Sequence, residues 1–464
     1  MDRQYDLCII GGGPAGLAAA CSASDCGLDV IVLDDQPSLG GQLYRGAGNE
    51  HLRKNMEKEE GEDGKALIER FLTSGAEYLP QATVWSLEPK KVSCLVNGLV
   101  KEVAASVIII ATGGMERPVP FPGWTMPGVM GAGAADIVLR TGGNFSVSKE
   151  TPLILAGNGP LLLLLTTHLL AAGVPIGAWL DTGTMGPRLV AGLKMPAALK
   201  DFAYFTKGLG MGLKALKAKF PIIRGVTAIK AVGDSTLREV VYTKGGKEHS
   251  LPAGLLVRHE GIIPRTHIPQ SLGMQLQWDA VQRYWHPVID EWGQTSTPGV
   301  LMAGDGAYVH GGDASVVKGH IAGVKAACLL RVISQQEADD RTSFERSELK
   351  RLVSARGYLR HLFAPSPSIF KVPDHTTVCR CEGVSAGDIR AAVQEGYVEV
   401  NEIKRFTRCG MGPCQGRMCG PALAEITAAA QGKDPSTVGM LHIRPPFRPL
   451  SLQEYCNYYA PEAD

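Results

Sequence analysis

At 464 residues the chain exceeds a single ordinary hydrophobic core and has room for two or three domains. Lys and Arg number 47 against 46 Asp and Glu, a net charge of +1, so nothing in the overall balance favours nucleic acid or anionic lipid as a partner. Eleven cysteines do not make a disulfide framework, because Cys8, Cys21, Cys26, Cys94, Cys328 and Cys456 are scattered, mostly among apolar neighbours, and read as small core residues.

The first predicted element is a strand. Met1 to Asp6 leads straight into the apolar run Tyr5 to Ile10 with no trace of a secretory signal, so a cytoplasmic location is expected. After Gly11-Gly12-Gly13-Pro14-Ala15-Gly16, residues Leu17 to Cys26 suit a helix that stops at Gly27. A second apolar strand, Val30 to Leu33, ends on Asp34, 23 positions after Gly11. Strand, glycine turn, helix and terminal acid in that order form the dinucleotide fingerprint. Gly11 permits the tight turn, Gly13 admits a pyrophosphate to the backbone, Gly16 allows close helix-strand packing, and Asp34 takes the ribose hydroxyls.

Two later segments favour FAD in this site. Gly40-Gly41-Gln42-Leu43-Tyr44-Arg45 follows the acid strand and offers Gly41, Gln42 and Arg45 to the cofactor. Thr295 to Asp305 contains a strand that carries Gly304 and Asp305 to its C-terminal end, where ligands of a doubly wound sheet lie. Asp305 can accept from a ribityl hydroxyl, and a helix from about Ala314 would aim its N-terminal amides at the flavin ring.

These residues resemble the two-dinucleotide-binding-domain flavoproteins, the family of the glutathione and thioredoxin reductases, over roughly residues 1 to 330. The resemblance implies an α/β fold with two Rossmann-like dinucleotide-binding domains. It makes Ala111-Thr112-Gly113 a strand-end turn lining the FAD, and it places Ala82-Thr83-Val84 like the strand whose backbone reads the adenine.

Leu153 to Ala156 and Gly157-Asn158-Gly159-Pro160-Leu161-Leu162 repeat the strand and turn in outline, and the next strand ends on Asp181, where an acid would bind ribose and disfavour a 2'-phosphate. Leu162 stands where the third glycine belongs, so an axial shift of the helix is expected and the site is degenerate. It is a scaffold, an NAD(P)H site, or a site for an adenine nucleotide that does no redox chemistry. The apolar stretch after Leu161 is interrupted by Thr166, Thr167 and His168 and falls short of the roughly 20 residues of a membrane span, so no transmembrane segment is expected. Between residues 27 and 327 the only cysteine is Cys94, which argues against thiol-disulfide exchange at the flavin. His259 and His310 are the visible acid-base candidates, but lone histidines are more often structural, and the catalytic residue stays unassigned.

Prolines in Phe363 to Ser368 and Val372 to Asp374 mark a linker. Beyond it come Cys379-x-Cys381, then 27 residues, then Cys409-x4-Cys414-x4-Cys419. Thiolates from two sequence-local sets are the usual way to hold a [2Fe-2S] cluster, and the intervening glycines make close backbone approach cheap. Zinc is the competing occupant, though a Cys-x-Cys pair suits it less well. The pattern resembles the bacterioferritin-associated-ferredoxin type of [2Fe-2S] domain, small and mostly helical. It departs from that type in a wider second pair and a shorter gap, which leaves Cys414 and Cys419 as competitors. The expected ligands are Cys379, Cys381, Cys409 and Cys414.

Gly40 to Arg45, Ala111 to Pro118 and Cys409 to Cys419 together resemble a narrower family: the larger FAD subunits of hydrogen cyanide synthase, opine oxidase and hydroxyproline dehydrogenase. That resemblance implies an electron-transfer subunit of a hetero-oligomeric enzyme oxidising an amino or imino acid of the opine, hydroxyproline, proline or glycine type. Its partners would be an FAD-containing amino-acid-oxidase-like subunit together with a small ferredoxin-like one, with a further FMN at a subunit interface. Electrons would leave toward the respiratory chain, a peripheral link to the inner face of the cytoplasmic membrane. The alternative is an NADH-dependent flavoprotein reductase feeding its own iron-sulfur domain. The expected division is an FAD domain over 1–118 and 251–362, a degenerate NAD(P)-binding-like domain over 119–250, and linker plus [2Fe-2S] domain over 363–464.

Overall fold

The computed structural model describes residues 3–459, so Met1 and Asp2 of the leading segment lie outside the described residues. The first apolar run forms the strand Gln4–Ile10, flanked in parallel by Val30–Leu33 and by the second half of Leu99–Ile110. Glu77–Leu79 extends this row on one side and Val300–Met302 on the other. The first half of Leu99–Ile110 turns instead into an antiparallel meander with Lys91–Val96 and Thr83–Glu88. Every residue of Val30–Leu33, and Val107 to Ile110, is buried, as continuous apolar runs are when both faces of a parallel sheet are covered.

Helices Pro14–Asp25 and Gly312–Leu329 pack side by side on this sheet. A Cβ on Gly319 would stand 2.1 Å from the Ala15 carbonyl oxygen and one on Gly323 would stand 2.3 Å from that of Ala19, so only glycine lets the two backbones meet.

A second sheet runs Ile222–Arg224, Ile176–Asp181, Leu153–Gly157, Leu255–His259, Val129–Gly131, all parallel. Beside it lies the antiparallel trio Val226–Gly233, Leu237–Lys244, Lys247–Pro252. This corrects the expected return to the FAD domain at 251. Leu255–His259 belongs to the second sheet, where its buried Leu255, Leu256 and Val257 complete the layer. The chain crosses back only at Ile262–Pro264, which pairs with Gly114–Glu116.

The third unit is mostly helical. A short strand pair, Thr377–Cys379 with Val384–Ser385, is followed by helices Ala386–Gln394, Val400–Thr407 and Gly420–Gln431, which share a core of Ile389, Ile403, Leu423 and Ile426. The prolines before it mark a seated strap, not a free tether. Ser366, Ile369 and Phe370 are buried, and the Asn158 side chain donates to the Ala364 carbonyl at 3.2 Å. Trp124 holds the far end, its indole N–H on the Thr377 carbonyl at 2.7 Å and its ring under Arg380.

One buried cation ties these units together. Arg117 directly follows the strand Gly114–Glu116 and is 4% exposed. Its Nε donates to the Glu260 carbonyl at 2.9 Å, Nη1 to that of Arg283 at 2.8 Å and Nη2 to that of Gln282 at 2.5 Å. Arg283 in turn pairs with Glu425 on the Gly420–Gln431 helix, Nε to Oε1 at 2.8 Å. Burial lowers the Arg117 pKa to about 10, which still leaves a cation at neutral pH. Arg117→Met would strand three carbonyls without a donor. It is expected to cost about 3 kcal/mol or more, read from chemical denaturation, and an unchanged midpoint would remove Arg117 from this role.

Candidate functional site

The first glycine turn is assembled by backbone contact. Gly11 has φ +116°, and a Cβ on it would lie 2.4 Å from the Ala111 carbonyl oxygen; one on Gly16 would lie 1.8 Å from that of Gly11. A Cβ on Gly41 would lie 2.7 Å from Gly13 Cα, and Gly40 N donates to Gly12 O at 2.9 Å. Gly304 faces Ala15, and Gly306 faces Gly113. The structure thus brings Gly11, Gly13, Ala15, Gly16, Gly41, Ala111, Gly113 and Gly304 into one cradle, with Pro14 opening the Pro14–Asp25 helix and no side chain capping its N-terminus.

Asp34 is buried at the strand end and accepts from Gly12 N and, at 2.8 Å, from Gln36 N. Burial pushes its pKa up, against these two N–H groups. Ala82 N donates to Asp34 O at 2.7 Å, which carries Val84 to the same end of the sheet. Arg45 bonds Gln36 through Nη2 at 3.1 Å, while its Nε is buried without a partner; Gln42 is exposed. Thr112 and Gly113 follow Ala111 at the strand end. Asp305 Oδ1 accepts from His310 N at 2.8 Å and Gly311 N at 2.9 Å, so the carboxylate shapes the turn into Gly312–Leu329. A cradle closed to a Cβ at Gly11, Gly16 and Gly41, an uncapped helix N-terminus and an unpartnered buried guanidinium nitrogen fit a pyrophosphate-bearing dinucleotide.

The two histidines are structural in their surroundings. His310 lies tilted against the Tyr308 ring, centroids 4.6 Å apart, and burial lowers its pKa to about 2, too low for a base near neutrality. His259 is buried, its Nδ1 2.6 Å from Glu116 Oε1. Glu116 also accepts from Ala132 N and Gly133 N, capping the Ala132–Arg140 helix, a link across 143 positions that no local pattern announces. Arg140 is another residue the sequence reading missed: it donates to the Leu43 carbonyl at 2.9 Å and bridges Glu60, bracing the Gly40 to Arg45 segment from outside.

The second glycine turn differs from the first. A Cβ on Gly159 would lie 2.5 Å from His259 Nε2, and Leu162 is wholly buried among Leu153, Leu155, Leu165 and Trp179. Asp181 is not an isolated acid, because Arg188 Nη2 donates to both its oxygens at 2.8 Å.

Cys379, Cys409 and Cys419 are buried with their sulfurs within 4.8 Å of one another. Hydrogen bonds from Cys409 and Cys419 favour the Cys379 thiolate, and the same contacts push the other two thiols up. Cys381 meets Cys414 through the Cys414 backbone N–H and its side chain. Beside the expected ligands stands a fifth thiol. Cys419, not among them, sits in the buried trio beside Cys379, while Cys414 sits with Cys381, because the glycine-rich loop folds back on itself. A Cβ on Gly412 would stand 2.1 Å from Cys381 Cβ, so the loop passes only as glycine. Backbone N–H groups of Gly410 and Glu382 point at Cys379, donors that suit anionic sulfur. This thiol set can bind an iron-sulfur centre. An apolar cleft is lined by Met115, two residues past Gly113, and by Gln415, Gly416 and Arg417, which follow Cys414, together with Trp278 and Trp285.

Residues 5–163 match the family model described as pyridine nucleotide-disulphide oxidoreductase, and residues 374–456 match the sarcosine oxidase A3 domain. The chain is 38% identical to an opine oxidase subunit of Agrobacterium tumefaciens (strain Ach5), covering 97% of this chain and 91% of the relative. It is 31% identical to hydrogen cyanide synthase subunit HcnB of Pseudomonas aeruginosa, covering 97% and 98%. The chain belongs to the family of these opine oxidase and HcnB subunits. It is an oxidoreductase subunit, and relatives named as subunits imply hetero-oligomeric partners. The fold is similar to that of L-proline dehydrogenase from P. horikoshii, with TM-score 0.72 at 18% identity over 97% of this chain and 79% of that one. Lactococcus lactis thioredoxin reductase matches over 71% of this chain and all of its own length, with TM-score 0.52 at 18% identity. The pyridine nucleotide-disulphide oxidoreductase fold implies FAD. Among the described residues no helix is long and apolar enough to cross a membrane.

Where the cysteine loop seats, His267 donates from Nε2 to the Gln415 carbonyl at 3.1 Å. Burial, then the charge of Arg417, lowers its pKa to about 4. A folded pKa below the ordinary 6.5 means the unfolded chain binds the proton first. The neutral ring's contribution is complete above about pH 6.5 and is lost as pH falls through about 4, by up to about 3 kcal/mol. Denaturation midpoints across that window should fall more steeply for the wild type than for His267→Gln; parallel profiles would contradict the assignment.

Proposed function

We propose that this chain is the FAD- and [2Fe-2S]-containing electron-transfer subunit of a hetero-oligomeric enzyme that oxidises the C–N bond of an amino or imino acid of the opine, hydroxyproline, proline or glycine type. The observation that carries the reading is the presence in one chain of the Gly11 to Gly16 cradle and the buried thiols of Cys379, Cys409 and Cys419, with a cleft walled by Met115 and by Gln415 to Arg417 between their neighbouring segments. When bound, FAD would take electrons in pairs and release them singly, and a [2Fe-2S] cluster would carry them one at a time.

The chain's own residues would bind and orient. Gly11, Gly13, Pro14, Ala15, Gly16, Gly41 and Gln42 would receive the pyrophosphate side of FAD, with Arg45 Nε offering charge. Asp34 and Val84 would hold the adenosine end, and Ala111, Thr112, Gly113, Gly304 and Asp305 the ribityl and ring end. For the cluster, Cys381 and Cys414 would form one pair of ligands, and Cys379 would pair with either Cys409 or Cys419. The second unit would serve as a scaffold or hold an adenine nucleotide without redox chemistry; buried Leu162 and the pairing of Asp181 with Arg188 speak against hydride transfer from a nicotinamide there. We take the FAD domain as discontinuous around this second unit, with the cysteine unit following the strap.

The partners in this reading are an FAD-containing amino-acid-oxidase-like subunit that binds the substrate and a small ferredoxin-like subunit, with FMN between the flavoprotein subunits. The complex would work at the inner face of the cytoplasmic membrane and deliver electrons to the respiratory chain. Burial holds His310 far below the range of a base near neutrality, which agrees with substrate chemistry on a partner. Anaerobic mixing of the purified holoprotein with NADH should leave the flavin absorbance unchanged, whereas amino or imino acid plus the partner subunit should bleach it. Rapid bleaching by NADH alone would sink the relay reading in favour of a reductase. Metal analysis should find iron, lost on Cys381→Ser and retained by one of Cys409→Ser and Cys419→Ser; zinc in the wild type would contradict the cluster.

A further inference from the structure

Between strands Ile176–Asp181 and Ile222–Arg224 the chain forms two consecutive helices, Met185–Ala198 and Phe202–Lys217. Their amphipathicity is inverted. Alanines face the protein, with Ala191, Ala198 and Ala215 buried, while Leu193 is 83% exposed, Leu189 66% and Phe202 65%. In the second helix Phe202, Leu209, Leu213 and Leu216, all exposed, fall on one stripe at helical spacing, the arrangement that ordinarily faces a core. Scattered exposed leucines need no explanation, but a stripe of them on one face does.

The charge is as uneven as the exposure. Between residues 185 and 219 the bases are Arg188, Lys194, Lys200, Lys207, Lys214, Lys217 and Lys219, and the one acid is Asp201. Asp201 is bridged to Arg351 at 2.9 Å, Arg188 is turned inward to Asp181, and Lys207 pairs with Glu59 at 3.4 Å, while Lys194, Lys214, Lys217 and Lys219 face outward. The whole chain sums to +1, so the overall balance conceals a strongly basic segment. All of its bases but Arg188 are lysines. Lysine is depleted at protein-protein interfaces, where arginine and aromatic residues are enriched. On helices that lie in the plane of a bilayer surface, lysines border the apolar face, their stems along the acyl boundary and their ammonium groups among the headgroups. With no membrane-crossing helix among the described residues, a surface-lying arrangement is the one this composition fits.

We propose that the helix pair Met185–Ala198 and Phe202–Lys217 docks the protein on an anionic lipid surface, with the exposed leucines and Phe202 entering the acyl boundary and the lysines engaging the headgroups. This deepens the membrane part of the proposed function by naming its surface and lipid chemistry. It is tested without any electron transfer, so either reading can fail alone.

The experiment is sedimentation of the holoprotein with vesicles of phosphatidylcholine, with or without phosphatidylglycerol. The expected result is partition onto the phosphatidylglycerol vesicles only, weakened by molar salt. Lys214→Glu combined with Lys217→Glu should lower the partition coefficient about tenfold or more. Leu193→Ser combined with Leu213→Ser should lower it by a similar factor. Because all four side chains are exposed, flavin content should match the wild type in both variants. Equal binding to both vesicles, no binding, or binding indifferent to both variants would overturn the proposal. So would hydrogen-exchange protection of residues 185–217 by the partner subunit in the absence of vesicles.

Discussion

The guanidinium of Arg117 has nowhere to go but the backbone. Fully buried, it spends its donors on carbonyls of Glu260, Gln282 and Arg283, which belong to the end of the second sheet and to the loop that carries the link to Glu425 on the cysteine unit. A buried cation without these acceptors would be very costly, and each carbonyl left without its donor costs a further smaller amount, so the contacts stand or fall together. The exit of the first sheet, the second unit and the cysteine unit are thereby held in one relation. Arg117 and Arg283 themselves line the cleft shared with Met115 and Gln415.

Around this joint the two candidate redox sites rely on the same device, backbone approach that excludes a Cβ. In the cradle, Gly11, Gly16 and Gly41 bring the helix start, the strand-end turn and the Gly40 to Arg45 segment together; at the cysteines, Gly412 slips past Cys381. Rigid backbone presents N–H groups without side-chain entropy, which suits pyrophosphate in one place and sulfur in the other. The second glycine turn forgoes this. Leu162 is accommodated inside the helix packing, His259 fills the space beside Gly159, and the strap through Ala364 is bonded to Asn158.

What could be read in advance was whatever a few consecutive residues impose. The strand, glycine turn, helix and acid around Gly11 to Asp34 are a local pattern with a single geometric solution, and both sheets followed from such patterns. The return of the chain was not legible, because Leu255 to Val257 is an apolar run that suits either sheet and only pairing to Leu153–Gly157 decides between them. The pairing of thiols was equally hidden, since spacing along a glycine-rich loop does not say which way it folds back. Arg117, Arg140 and the Glu116 to His259 contact act over long separations, and nothing in their neighbourhoods marks them. The basic helix pair was visible as residues yet hidden in a net charge of +1.

The central claim is that both sites in this chain serve one electron path fed from a partner. Freeze-quench paramagnetic resonance of the intact complex, mixed anaerobically with its amino or imino acid, tests it most directly. The account predicts that the signal of a reduced [2Fe-2S] cluster rises within a single turnover and is absent when the partner subunit is withheld. Complete flavin turnover with the cluster oxidised throughout would contradict it.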